Sequence, residues 1–226
     1  MPTCSRTDRR FAFANFLVAV LAATAFAQAG ATSPEEDFVI AVANDRVGQV
    51  RDLLARGVDP NTVDAIGDPA LVVAARGGNV NTVEALLAAR ANVNARNKFG
   101  DTAIMAAALS GNLPIVRALR AKGASLENAG WTALIYAATG GHDAIVTYLL
   151  AEGANINAPS PNGTTALMMA VRESKGATVE LLIAKDADVK RRNQDGASAL
   201  DWALRGNEKR MAEQLRRAGA TTVNSR

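Results

Sequence analysis

Residue types that carry out chemistry are scarce in this sequence of 226 residues. It contains one histidine, His142, and one cysteine, Cys4. A lone histidine without cysteines or clustered carboxylates lacks a zinc ligand set. The sequence also shows no nucleophile elbow, phosphate-cradling glycine loop or zinc motif. We therefore expect His142 to be structural, and we expect no catalytic residue, no metal, no cofactor and hence no enzyme.

The charged clusters also have simple structural explanations. Glu35, Glu36 and Asp37 are consecutive, so they cannot face one another across a cleft as paired catalytic carboxylates do. They suit the start of a helix instead. The basic run at 190–192 can contact an acidic partner or a phosphate, although a solvated loop is the simpler interpretation. Asp201 is expected to cap a helix or to lie on the surface.

A repeat of about 33 residues organises the chain. Its first marker is a glycine followed by one variable residue, then Pro, Thr or Ser, then Ala and an aliphatic residue. These glycines are spaced by 33, 30, 33 and 33 residues, and they are Gly67, Gly100, Gly130, Gly163 and Gly196. The regular spacing predicts a stack of similar units rather than one globular core.

The second marker is an apolar triplet with the spacing of a helix face, such as Val83, Leu86 and Leu87. Equivalent positions recur in every unit, including one before the first marker glycine and one after the last. They are Val50, Leu53 and Leu54, then Val116 and Leu119, then Val146, Leu149 and Leu150, then Val179, Leu182 and Ile183, then Ala212 and Leu215. The sequence therefore predicts six units.

These motifs resemble the ankyrin repeat, in which a turn and a Gly-x-Thr-Pro-Leu-His phrase begin the first helix. A second helix with Val-x-x-Leu-Leu follows, and a Gly-Ala-Asp-Val-Asn phrase closes the unit. The closing phrase here reads Gly153-Ala154-Asn155-Ile156-Asn157 in the fourth unit. The resemblance covers about residues 35 to 220 and implies an all-α solenoid of about six helix–turn–helix units with short β-turn fingers. The unit bounds are 37–66, 67–99, 100–129, 130–162, 163–195 and 196–220, between a linker at 30–36 and a disordered tail at 221–226.

Cap residues support this division into units. A hydroxyl at the start of the first helix accepts a backbone N–H, and the predicted caps are Thr102, Thr132, Thr165 and Ser198, with Pro69 in their place in the second unit. Second helices are predicted to end in a left-handed residue at Gly57, Gly123, Gly153 and Gly219. Arg90 and Asp186 take the equivalent places, which predicts two weaker ends. Arg216 replaces an aliphatic residue in the last unit and indicates a terminal cap.

The N-terminal segment reads as an export signal. Residues 1–10 are basic, residues 16–27 are apolar except for one threonine, and small residues allow cleavage after Ala27 or after Ala29. The apolar run is short for a membrane anchor. Sec export is favoured over the twin-arginine route, because the residue before the Arg9-Arg10 pair is Asp8. Residues 1–29 are thus a predicted signal peptide, and the mature protein is expected in the periplasm or outside the cell.

The mature chain carries little net charge. Removing residues 1–29 takes 25 basic and 22 acidic residues to 22 and 21, which leaves no electrostatic footprint for nucleic acid. It also removes Cys4, the only cysteine, and with it any disulfide. We expect a protein partner, no nucleic acid, no membrane contact after cleavage, and a monomer.

The resemblance implies that partners contact the finger tips and the exposed side of the first helices, on the concave surface. The residues at these positions are Ile66, Asp68, Lys98, Phe99, Asp101, Asn128, Trp131, Arg172 and Glu173. Phe99 and Trp131 are large apolar groups that the stack does not need, which is typical of interface anchors. Alternatively, each ring folds back over its own turn. Tyr136 and Trp202 align with Val73 inside the first helix and are predicted to be in the core.

The third unit is three residues short after Glu127, and Arg120 stands where other units carry an aliphatic residue. These departures suggest a notch in the row of fingers beside Trp131, with Arg120 bonded to polar groups freed by the deletion. The leading functional hypothesis is an exported protein-binding scaffold that inhibits, protects or assembles its partner. Its alternatives are a secreted effector that binds host proteins and, less favoured, a periplasmic enzyme with a site on the concave face.

Overall fold

The computed structural model describes residues 33–127 and 130–222, and this part of the chain contains twelve α-helices in six pairs. The first helices of the pairs are α1 (Pro34–Ala43), α3 (Ala70–Gly77), α5 (Ala103–Leu109), α7 (Ala133–Gly140), α9 (Ala166–Arg172) and α11 (Ala199–Arg205). The second helices are α2 (Val47–Ala55), α4 (Val80–Ala88), α6 (Leu113–Ala121), α8 (Asp143–Ala151), α10 (Gly176–Ala184) and α12 (Lys209–Arg217). The predicted all-α solenoid of six units is confirmed.

The pairs stack in two layers. Each first helix packs against the first helices of its neighbours, and each second helix packs against the neighbouring second helices. Paired alanines such as Ala74 and Ala75 are fully buried between the layers, so the first helices approach closely. The apolar triplets of the second helices face inward, with Val83 and Leu86 fully buried. Because every unit lends its apolar face to the next, the stack holds one continuous core.

The hydroxyl caps form at three of the four predicted positions. The side chains of Thr132, Thr165 and Ser198 accept the backbone N–H three residues later. Thr102 differs from this prediction, because its buried hydroxyl has no hydrogen-bond partner among the described residues. Separately, the backbone N–H of Thr102 donates to the Met105 sulfur at 3.4 Å, and a sulfur is a weak acceptor.

The ends of the second helices also follow the predicted pattern. Gly57, Gly123, Gly153 and Gly219 have φ angles of 86° to 93°. Arg90 and Asp186 adopt the same left-handed region at φ 64° and 62°, which costs a residue with a Cβ free energy. These two ends are thus the strained members of the set.

Polar side chains hold successive units together near the start of the second helices. Asn79 donates to the Val42 carbonyl at 3.3 Å, and Asn112 donates to the Gly78 carbonyl at 3.2 Å. His142 takes the equivalent place in the next unit, with its Nε2 2.9 Å from the Leu109 carbonyl oxygen. A carbonyl only accepts, so Nε2 carries the proton. The histidine is structural, as the sequence predicts.

A second set of bonds links the finger bases. The side-chain oxygens of Asn61, Asn94 and Asn157 each accept a backbone N–H from the following unit at 2.7 to 2.8 Å. In the third unit Glu127 takes this place and accepts from the Asn155 N–H at 3.0 Å. Glu127 thus keeps the link between units at the point where three residues are missing.

The ends of the stack differ in detail from the sequence prediction. Helix α1 begins at Pro34, so the predicted linker 30–36 is helical in its last three residues, since proline suits the first helical position and acidic residues favour the first turn. Arg216 is exposed, as a terminal cap requires. The Thr221 carbonyl, at the start of the predicted tail, accepts from Arg192 at 3.2 Å. The predicted signal peptide lies outside the described residues, and none of the described helices is long and apolar enough to cross a membrane.

Candidate binding surface

The finger tips are ordered by side chains that bond to their own backbone. Asn97 Oδ1 accepts the N–H groups of Phe99 and Asp101 at 3.0 and 2.9 Å, and Asp64 does the same for Ile66 and Asp68. Ser160 and Asn193 hold the later fingers in the same way. The shortened finger has no counterpart of these residues, because they would fall in its deletion.

The two N-terminal finger tips expose large apolar side chains. Phe99 is 70% exposed and Ile66 is 53% exposed. The ammonium of Lys98 lies 5.1 Å from the centroid of the Phe99 ring, and Lys98 is itself exposed. The equivalent tips of the later fingers carry Asn162 and Asp195. The apolar tips are therefore confined to one half of the finger row, and the Phe99 ring does not fold back over its turn.

Trp131 is half-buried, and it packs against the core. Its ring centroid lies 5.9 Å from that of Tyr136, with the ring planes tilted by 43°. The alternative that the ring folds back is thus the better description, because the ring lies near that of Tyr136 and presents only part of its surface. Its partner Tyr136 is half-buried as well.

Asp68 is buried and cannot present its side chain to a partner. It is 1% exposed, and its Oδ2 pairs with the guanidinium of Arg76 at the other end of α3. This corrects its assignment to the contact surface, since its carboxylate is already neutralised within the protein. Asp101 holds the same position one unit later and remains partly exposed.

The helix that follows Asp101, α5, carries no arginine to pair with it. The residue equivalent to Arg76 is Leu109, and among the described residues Asp101 forms no ion pair. Its Oδ1 instead accepts a hydrogen bond of 2.6 Å from the hydroxyl of Tyr136, in the next unit. A partly exposed carboxylate therefore accepts from a tyrosine whose ring lies near that of Trp131.

The remaining predicted contact residues are separated from this cluster in sequence and in the stack. Arg172 and Glu173, at the end of α9, are exposed and pair with each other at 3.0 Å. Asn128 lies outside the described residues. Arg120 does not take part in a notch beside Trp131 in the way the sequence suggests, since it bonds the Ala124 carbonyl at 2.6 Å and Glu152 at 3.3 Å. Those contacts join the ends of α6 and α8.

Sequence reasoning missed that one apolar position of the first helices is only half-buried in most units. One residue of each unit takes this position, and these residues are Ile40, Val73, Ala106, Tyr136, Met169 and Trp202. Ile40 is 44% exposed, Met169 is buried, and the others are half-buried. The core prediction for Tyr136 and Trp202 is therefore only partly right. Their alignment with Val73 could have indicated this partial exposure. The position directly precedes the fully buried alanine pair and therefore lies on a different side of the helix.

The candidate catalytic groups are occupied in structural contacts. The imidazole of His142 is bonded to Leu109, and the described residues contain no group of three or more His, Cys, Asp or Glu side chains placed to hold a metal ion. The Oδ2 of Asp201 accepts from the Ser198 N–H, the Ser198 hydroxyl and Arg192 at 2.8 to 2.9 Å. Burial acts to raise the pKa of Asp201, but these hydrogen bonds outweigh it and the pKa lies below its ordinary value of 3.8. Asp201 is a helix cap, as predicted.

Comparison with known proteins agrees with this architecture. The family model for ankyrin repeats in three copies matches residues 38–127, 71–160 and 153–226. A crystal structure of an ankyrin repeat domain from Acinetobacter baumannii AYE is 31% identical and superposes with a TM-score of 0.70, over 81% of this chain and 98% of that one. No curated protein matches the sequence. Ankyrin repeats generally mediate protein–protein interactions. The chain belongs to the ankyrin-repeat family.

Proposed function

We propose that this protein is an exported scaffold that binds one partner protein through its fingers and the exposed side of its first helices. The observation that carries the proposal is the pair of apolar finger tips, Ile66 and Phe99. Neither side chain has a packing role in the stack, and both leave apolar surface in water, which costs free energy. Exposed aromatic and aliphatic groups of this kind are typical anchors of an interface.

We infer the position of the partner from the distribution of apolar groups. The apolar tips belong to the first two fingers. The half-buried rings of Trp131, just before α7, and Tyr136, on α7, follow them. The later finger tips carry Asn162 and Asp195 instead. The partner therefore contacts the N-terminal half of the finger row and the first helices up to α7, over an area of order 800 Å² on each side.

Export is the second part of the proposal, and the basic and apolar sequence of residues 1–29 supports it. Cell fractionation followed by N-terminal sequencing tests it directly. The mature chain is expected in the periplasmic fraction or the medium, beginning at Gln28 or Gly30. A cytoplasmic chain that retains its N-terminal residues would contradict export but would leave the binding surface untouched.

Photo-crosslinking tests the binding surface. A photoreactive benzoylphenylalanine is placed at position 99, on the second finger, and in a matched control at position 84, where Glu84 is exposed on α4 in the other helix layer. Both variants are expressed in the organism that naturally makes the protein, and the cells are irradiated. We expect one protein band to crosslink through position 99 and not through position 84. Equal crosslinking from both positions, or none from position 99, would refute the proposed surface.

A further inference from the structure

We propose that the cluster of Asp101, Trp131 and Tyr136 is a pocket for an arginine side chain of the bound partner. The proposal rests on the function proposed above, and it assigns the chemistry of one contact within that surface. Its starting point is the difference between two equivalent carboxylates, those of Asp68 and Asp101.

The second unit already shows how this scaffold binds a guanidinium. The Arg76 side chain runs back along α3 and pairs with Asp68 at the finger base. In the third unit the carboxylate is kept at Asp101, but the arginine is replaced by Leu109. The third unit therefore retains the anion of the pair and lacks its cation, and a cation from outside can fill that place.

A tyrosine of the next unit contacts the carboxylate of Asp101, which has no arginine partner among the described residues. Tyr136 takes the place of Ala106 one unit earlier, and its hydroxyl fixes Asp101 Oδ1 at 2.6 Å. The centroid of the Trp131 ring lies 5.9 Å from the centroid of the Tyr136 ring. A guanidinium pairs with a carboxylate through two N–H groups and stacks its plane on aromatic rings, whereas an ammonium is a hydrated point charge. The combination therefore favours arginine over lysine.

The nearest lysine of the same finger does not fill this place. Lys98 has its ammonium over the Phe99 ring, at 5.1 Å from the centroid. The Lys98 and Phe99 side chains thus pair with each other at the tip, while Asp101 and the two rings lie at the base. A partner segment that covers Phe99 with apolar groups would carry its arginine toward Asp101.

The test uses the mature protein and a small probe, so that it needs no partner. The indole N–H signals of Trp131 and Trp202 are followed by NMR as N-acetyl-arginine methylamide is added. N-acetyl-citrulline methylamide is the uncharged control of the same shape, and N-acetyl-lysine methylamide tests the choice of cation. We expect a saturable shift of the Trp131 signal with the arginine probe and at least threefold weaker binding of the lysine probe. The citrulline probe should give no saturable shift, and the Trp202 signal should not move with any probe.

Two variants separate the pocket from a general effect of salt or of the aromatic rings. Asp101→Asn keeps an acceptor for the Tyr136 hydroxyl but removes the charge, and Leu109→Arg supplies an internal cation as Arg76 does for Asp68. Both are expected to reduce the arginine-induced shift at least fivefold, with an unchanged circular dichroism spectrum. Equal binding of arginine and citrulline, or a shift that persists in both variants, would overturn the pocket. The crosslinking result at position 99 would stand either way.

Discussion

His142 joins two units of the stack through one hydrogen bond, from its Nε2 to the carbonyl oxygen of Leu109, 2.9 Å away. Asn79 and Asn112 perform the same task in the two units before it. The only histidine of the chain is therefore one member of a row of equivalent bonds, and asparagine is an alternative occupant of its position. The ring also lies so close to Gly111 and Gly140 that a side chain at either would collide with it.

Replacing His142 tests this role. His142→Ala leaves the Leu109 carbonyl without its partner, and we expect the free energy of unfolding to fall by about 1–2 kcal/mol. His142→Asn restores the type of bond found at Asn79 and Asn112, so its free energy of unfolding should fall by clearly less. Urea unfolding followed by circular dichroism measures both. Equal losses in the two variants would show that packing of the ring, and not its hydrogen bond, matters.

Arg90 and Asp186 hold left-handed backbone that suits glycine. We expect Arg90→Gly and Asp186→Gly each to raise the free energy of unfolding by about 0.5–1 kcal/mol, since both side chains are exposed and glycine adopts this region without a Cβ clash. The converse change, Gly123→Ala, should lower it by about 1 kcal/mol. A Cβ at Gly123 would meet no atom within 4 Å, so that loss would report backbone strain alone. Thermal unfolding of the three variants measures these changes.

Asp201 makes the stability of the last unit depend on pH. Its pKa in the folded protein is below 3.8, because the hydrogen bonds from Ser198 and Arg192 outweigh its burial. The charged carboxylate therefore stabilises the fold above the pKa of the unfolded chain, and this contribution is lost as the pH falls through the lower folded value. We expect Asp201→Asn to cost about 1–2 kcal/mol at pH 7 and less at pH 3.

The control for this measurement is Asp52→Asn, since Asp52 is exposed and its side chain makes no hydrogen bond in the described part of the chain. Urea unfolding at several pH values gives the difference between each variant and the wild type. A cost of Asp201→Asn that stays constant from pH 7 to pH 3 would mean that the charge of Asp201 contributes nothing.

Phe99 should matter for binding and not for folding. Its side chain is 70% exposed, so Phe99→Ala is expected to change the free energy of unfolding by less than about 0.5 kcal/mol. As an interface anchor, however, its loss should weaken partner binding about tenfold or more. Once crosslinking has identified the partner, calorimetry measures its affinity for the purified wild type and for Phe99→Ala. An unchanged affinity would place the partner elsewhere on the stack.

Local rules explain which features the sequence predicted correctly. The helix pairs, the hydroxyl caps at Thr132, Thr165 and Ser198, and the left-handed ends at Arg90 and Asp186 each depend on residues within one unit. Such features recur at a fixed spacing, so each unit supports the interpretation of the others. Thr102 is the exception, because its buried hydroxyl has no hydrogen-bond partner among the described residues.

The candidate surface could be predicted only in outline. The finger tips Ile66 and Phe99 were located by register, and their exposure follows from the turn. The burial of Asp68 was not predicted, because it depends on an arginine eight positions later whose reach is a matter of side-chain conformation. The sequence predicts Tyr136 and Trp202 in the core, because the repeat alignment does not distinguish a fully buried apolar position from a half-buried one on the same helix.

The sequence by itself determined the repeat, the order of the helices and the residues that begin and end them, because these follow from contacts between residues near in the chain. Side-chain conformation decided that Arg76 neutralises Asp68. Tertiary structure alone decided which polar groups join adjacent units. Those outcomes depend on pairs about 30 or more residues apart, such as Tyr136 with Asp101 and His142 with Leu109. Such pairs meet only when one unit stacks on the next, and no single unit encodes that meeting.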